Sequence, residues 1–204
     1  NVCAVGYDDV MVVAGALTPP ARVLSLSPGS LDEALRDIER VGNATGVSER
    51  SRTLVDMLRE RVGRVTARIP PGRTRPRVAC LEWLDPPYSA GHWVPEMVEL
   101  AGGIDVLAAK HRPSARVSME ALVDAAPEVL VLMPCGFDER RTLREWELLN
   151  NLPAWQAIPA VANGSVFAVD GSKFFNRPGP RLVDGLELLA KCVATVAVPG
   201  TTLW

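Results

Sequence analysis

The sequence predicts an α/β protein of two lobes joined by a long rigid helix, with the first lobe incomplete. Three observations point to it. From residue 77 onward, strand-like and helix-like runs alternate, as in a largely parallel sheet with helices on both faces. Between residues 48 and 69, apolar positions recur at helical spacing over far more than the usual three turns. That run ends in "PPGRTRP", a breaker-rich linker. A helix of domain length followed by such a linker suits a strut. The expected division is therefore 1–46 as the closing part of a first lobe, 47–75 as inter-lobe helix and linker, and 76–204 as a second α/β lobe.

The totals bound the function. A chain of 204 residues, 48% hydrophobic and 23% charged, can bury a sizeable core as a globular protein. Its net charge is −2 and it has no dense basic run, so a nucleic-acid partner is not expected. No apolar stretch approaches the roughly 20 residues that span a bilayer. The opening "NVCAVGYDDVMVVAGAL" has no basic n-region and no cleavage site, and runs from strand-like to helix-like residues. It reads as the interior of a longer chain whose N-terminal part belongs to the first lobe. Cys3, Cys80, Cys135 and Cys192 form no C-x-x-C pair, and no His pair has ligand spacing, so no structural zinc site is expected. Cys80 and Cys135 lie in or beside strand-like runs and are expected to act as small buried hydrophobes rather than as disulfide or reactive thiols.

The elements follow in order. "RVLSL" (22–26) reads as a strand. Ser30 is the expected N-cap of a helix with Asp32 and Glu33 in its first turn, where the dipole favours them. Leu31, Leu35, Ile38 and Val41 give its apolar face, and Gly42-Asn43 is expected to close it. Leu54, Val55, Leu58, Val62, Val65 and Ile69 mark the long helix, about 33 Å at 1.5 Å per residue. Strands are expected at 77–83, 128–133 and 165–169. Helices are expected at 94–101, at 118–126 under a Ser118 cap, at 142–149 and at 180–196. The continuous apolar run "EVLVLM" suits a strand buried on both faces.

In such sheets, ligands bind outside the carboxyl ends of the strands. Three loops leave those ends: "LDPPYSAGHW", "PCGFDERR" and "DGSKFFNRPGPR". With Trp83 at its strand end, they carry Tyr88, His92, Trp93, Phe137, Phe174 and Phe175. Aromatics are only 5% of the chain, so this grouping on one rim favours a ligand wall over a folding core. For Trp83, core and site are equal alternatives. Arg177 could grip a carboxylate, phosphate or amide oxygen, or simply flank a helix. His92 and His111 could ligate a metal, but a lone loop His more often makes ordinary hydrogen bonds, so no metal ligands are assigned. Catalytic motifs of the GxSxG, P-loop and HExxH kinds are absent. The rival enzyme reading rests on His92 sharing the rim with Asp85, Asp138 and Asp170. No catalytic residue is assigned.

The segments "RVLSLSPGSLDEALRDIERVGNATG", "PPYSAGHWVPEMVELAGG", "RVSMEALVDAAPEVLVL" and "KFFNRPGPRLVDGLELLA", in that order and spacing, resemble the ABC-importer substrate-binding proteins that carry cobalamin, siderophores or haem. The likeness is nearest to the cobalamin-binding members. It implies two Rossmann-like lobes of the class III periplasmic-binding-protein kind, with the ligand held between them. It also implies Tyr88, Trp93, Phe174, Phe175 and Arg177 as ligand contacts, and Trp83 joins these candidates on its place at the strand end. Glu120, in "VSMEAL", resembles a surface glutamate that docks onto arginines of the membrane permease. The implied cargo is cobalamin or a related corrinoid, with no resident cofactor and no catalysis. Haem or a siderophore is the alternative within the class. The implied location is periplasmic or otherwise extracytoplasmic, with a lipoprotein anchor as a variant. The loop "KHRPSARVS" departs from cobalamin-binding relatives in carrying no aromatic residue.

Overall fold

A computed structural model describes residues 6–196, so Cys3 and the strand-like reading of residues 1–5 lie outside the described residues. Three helices precede the sheet: α1 (Tyr7–Ala16), α2 (Leu31–Thr45) and α3 (Ser48–Ala67). Then follow β1 (Arg77–Leu84), β2 (Pro87–Ser89), α4 (Val94–Leu100), β3 (Ile104–Asp105), β4 (Ala115–Arg116), α5 (Met119–Asp124) and β5 (Val129–Leu132). The chain continues through α6 (Glu139–Leu149), α7 (Pro153–Gln156), α8 (Pro159–Ala162), β6 (Val166–Ala168), α9 (Gly171–Phe174) and α10 (Arg181–Val196). The fold is α/β, as the alternation predicts.

The sheet order is β4-β2-β1-β5-β6, with β3 also paired to β1. The pairs β1–β3, β1–β5 and β5–β6 are parallel, while β2 runs antiparallel to both β1 and β4. Alternation along the central strands sorts the core into two layers. Val78, Cys80, Val129 and Val131 join a cluster with α2, α3, α4 and α10. Ala79, Leu81, Leu130 and Leu132 join one with Leu122 of α5, Trp155 of α7 and Ala160 of α8. All four residues of β5 are buried, as its unbroken apolar run requires.

Helix α2 begins as expected: Ser30 Oγ accepts from the Glu33 N–H at 3.1 Å. It does not end at Gly42-Asn43. The helix continues to Thr45, and Gly46 supplies the left-handed cap at φ 78°. Gly42 has another use, because a Cβ there would overlap the Ser51 side chain of α3. The missing side chain lets the two helices approach closely. The strand expected at 22–26 is also corrected. Those residues form no ladder with any described strand, and Arg40 Nη2 donates to the Ser25 carbonyl at 2.9 Å instead. Extended backbone becomes a strand only where a neighbour can pair with it.

Helix α3 has the expected length and lies along α2 and α10. Its buried Val55, Leu58 and Val65 share a cluster with Leu35, Met97 and Leu186. An ion-pair fork reinforces the contact with α10. Arg61 Nε and Nη2 donate to the two Glu187 oxygens at 2.9 and 2.8 Å, and Nη2 also reaches Asp184 Oδ1 at 2.6 Å. The bonds to Glu187, then those to Asp184, push the Arg61 pKa up, and the same guanidinium pulls Glu187 down. Arg61 and Glu187 therefore stay charged across the neutral range. Among the described residues, no helix is long and apolar enough to cross a membrane.

Candidate functional site

The carboxyl ends of β1, β5 and β6 place the three loops side by side, and hydrogen bonds join them into one rim. Trp93 Nε1 donates to the Phe175 carbonyl at 2.9 Å, tying the first loop to the third. Ser172 N–H donates to the Phe137 carbonyl at 3.4 Å, tying the third to the second. A fourth segment, 109–112, is clasped to the first loop. His92 N–H donates to the Arg112 carbonyl at 2.6 Å, and His111 N–H returns to the His92 carbonyl at 3.1 Å. Both histidines sit at positive φ, 55° and 60°. Gly91 permits the clasp, because a Cβ there would strike the backbone of residues 112–114.

Within this frame the six expected ligand residues separate. Trp83 is 39% exposed and Tyr88 36%, and the β1–β2 register sets them directly opposite each other. A register shift between Leu81 and Trp83 precedes the pair, the kind of irregularity that re-aims a side chain at a strand end. Phe174 is half-buried with Lys173 Nζ 4.8 Å from its ring centroid, and Arg177 is exposed. Trp93 and Phe175 are corrections. They are only 7% and 2% exposed and belong to the core cluster beneath the rim. Trp93 is the residue preceding α4, so its ring turns inward with that helix's apolar face, and its indole N–H is satisfied by Phe175 itself. The pair holds the first and third loops together from below.

Sequence reasoning placed Phe137 on the rim but gave it no role. The structure packs it edge-on to Trp83, with ring centroids 5.3 Å apart, and sets the Arg141 guanidinium carbon over its ring, 3.7 Å from the centroid. These residues, with Pro134 and Leu148, line a cavity of about 350 Å³ beside the rim. Arg116 was missed altogether. The β2–β4 register sets it opposite Tyr88, so Trp83, Tyr88 and Arg116 stand in a row across three strands. The two-residue strand β4 is too short to leave a periodic signal.

The rim's titratable groups are mostly committed to structure. Asp138 caps α6, accepting from the Arg141 N–H at 2.8 Å, and Asp170 caps α9, accepting from the Lys173 N–H at 2.7 Å. Glu82 is held above the usual carboxylate range by burial, opposed by Ser114, His92 and the Gly91 backbone. His111 Nδ1 lies 3.2 Å from the Gly29 carbonyl. Among the described residues, no group of three His, Cys, Asp or Glu is placed to hold a metal ion. Cys80 is buried as expected, but Cys135 is exposed. The chain has already left β5 at Leu132, so the strand's burial does not extend to it. Glu120 is exposed in the first turn of α5, four residues after Arg116 and behind the Ser118 cap. Its pKa is lowered by its own backbone N–H and by the Ser118 hydroxyl.

The periplasmic binding protein family model matches residues 14–172. The chain belongs to that family. Over 98 residues it is 32% identical to the vitamin B12-binding protein of Vibrio cholerae serotype O1, a match covering 48% of this chain and 32% of that relative. The matched part is thus about a third of the length of those curated relatives. Among solved structures, the periplasmic haem-binding protein BhuT in complex with two haems superposes with a TM-score of 0.76 at 21% identity, covering 96% of this chain and 73% of that one. The periplasmic vitamin B12-binding protein BtuF of Vibrio cholerae gives 0.62 at 21% identity, covering 91% and 69%. These likenesses establish the fold, and both neighbours are binding proteins rather than enzymes.

Proposed function

We propose that this chain forms part of the substrate-binding component of an ABC importer, acting outside the cytoplasm and capturing cobalamin or a related corrinoid. The carrying observation is the exposed row Trp83, Tyr88 and Arg116 at the carboxyl end of the sheet. Flat rings bury much area with few rotatable bonds, and a cation beside them can meet the amide or phosphate oxygens that fringe a corrinoid. Phe174 and Arg177 extend the wall, while Trp93 and Phe175 fix its shape from beneath. In this reading, residues 47–75 connect the wall to a first lobe and the ligand sits between the two. The identity to vitamin B12-binding proteins supports the corrinoid over other flat cargoes. No resident cofactor is needed, because the corrinoid is what is carried.

A haem or siderophore is the second reading, favoured by the superposition on a haem-bound neighbour over nearly the whole chain. An enzyme using His92 has little support, since Asp138 and Asp170 are occupied as helix caps. Delivery would use Glu120, which is exposed and ionised in the first turn of α5. The deciding experiment titrates the protein with cyanocobalamin, haem and ferric siderophores, reading absorbance and tryptophan quenching. Saturable quenching by cyanocobalamin alone supports the assignment. Tight haem binding with no corrinoid response would replace it with the second reading.

A further inference from the structure

The cavity of about 350 Å³ beside the rim lies between the end of β1, the loop after β5 and α6. Its apolar lining includes Trp83, Phe137 and Leu148, and its charged residues are Asp85, Arg141 and Glu145. Trp83 belongs both to this lining and to the exposed row with Tyr88. A flat molecule lying on the row would therefore have one edge beside the cavity.

Arg141 and Glu145 stand four residues apart on α6, the spacing at which opposite charges ordinarily pair. They do not pair. Among the described residues, no ion pair takes either side chain. Arg141 instead holds its guanidinium carbon 3.7 Å from the Phe137 ring centroid, a stacking distance. Its N–H groups then run parallel to the ring and stay free to donate. The cavity thus carries a donor and an acceptor side by side, each without a partner of its own. A primary carboxamide meets both at once, because its C=O accepts and its NH2 donates. A carboxylate meets only one. It would bond to Arg141 but face the like charges of Glu145 and Asp85, two acids against one cation where water is partly excluded.

We propose that this cavity is a subsite for a peripheral carboxamide arm of the cargo, with Arg141 donating to the amide oxygen and Glu145 accepting from the amide nitrogen. The subsite presupposes the corrinoid reading of the rim, because a corrinoid is fringed with such amides. It also gives that cargo a chemical advantage over haem, whose arms are carboxylates. The test titrates cyanocobalamin and its b-, d- and e-monocarboxylic acids, each with one peripheral carboxamide hydrolysed, into the full chain at neutral pH. Tryptophan quenching is read for the wild type, Glu145→Gln and Arg141→Met. At least one of the acids should bind the wild type about tenfold more weakly than cyanocobalamin. Glu145→Gln keeps an acceptor and removes the charge. It should narrow that gap to about threefold and leave cyanocobalamin within about twofold of the wild type. Arg141→Met should weaken cyanocobalamin about fivefold, and the Glu145→Gln comparison decides if that variant fails to fold. All the acids binding the wild type as tightly as cyanocobalamin, or a gap undiminished in Glu145→Gln, overturns the subsite and leaves the corrinoid reading standing. Absence of saturable cyanocobalamin binding by the wild type overturns the corrinoid reading and the subsite with it.

Discussion

Trp83 and Trp93 come from one short aromatic-rich segment, and the structure gives them opposite roles. Trp83 stands 39% exposed at the end of β1, cupped by Phe137 and facing Tyr88. Trp93 is 7% exposed, enclosed with Met97, Leu182 and Phe175 in one cluster, its indole N–H spent on the Phe175 carbonyl. The first is available to a ligand, and the second makes the surface that presents it. A ring in a rim loop can therefore be either wall or foundation. The element that follows decides: Trp83 leads into a tight antiparallel turn, whereas Trp93 leads into a helix whose apolar face points down.

The contrast is open to direct attack. Trp93→Ala should have the largest effect, destabilising the fold by about 3–5 kcal/mol, because it opens a cavity and orphans the Phe175 carbonyl. Chemical denaturation measures it, and a loss below about 1 kcal/mol would return Trp93 to the wall. Next comes a buried polar group in the same sheet layer. Asp105 Oδ1 accepts the Leu107 and Ala108 N–H groups at 2.9 and 2.8 Å, while Oδ2 is buried without a partner. Burial, aided by Glu99, lifts its pKa to about 6. The unfolded carboxyl ionises first as pH rises, near 4, so the folded state holds the extra proton between about 4 and 6. Stability from this group is full below that window and lost above it. Asp105→Asn keeps the acceptor and removes the charge. It should stabilise the protein by about 1–2 kcal/mol at pH 7.5 and by little at pH 4. Denaturation at the two pH values tests the difference.

Trp83→Ala is the counterpart of the Trp93 substitution. We expect less than about 1 kcal/mol of lost stability but about 1–3 kcal/mol of lost ligand affinity, read by titration with cyanocobalamin. Equal losses at the two tryptophans would erase the distinction between them. Glu120→Lys should be smallest of all on the isolated protein, leaving the melting temperature and ligand affinity unchanged. Ligand-dependent stimulation of permease ATPase should nevertheless fall, and unaltered stimulation would argue against a docking role for Glu120.

Much of the fold was legible because local chemistry and tertiary need coincide. The apolar run of β5, the Ser30 and Ser118 caps and the length of α3 each carry a signal within a few residues. The misreadings occurred where that signal was shared between outcomes. Gly42 has the form of a helix stop but serves as a contact surface for Ser51. Residues 22–26 have strand composition but no pairing neighbour among the described residues. At the site, the sequence grouped the aromatics on one rim yet gave no means of separating Phe174 from its adjacent Phe175, or of finding Arg116 in a two-residue strand.

The sequence by itself determined the alternation of strands and helices, the long helix and the loops that would meet at the carboxyl ends. Those depend on periodicity and capping, which act over one or two turns. Only the tertiary structure decided which rings face outward and which arginine stands opposite Tyr88. These properties depend on what residues distant in sequence place against a given side chain.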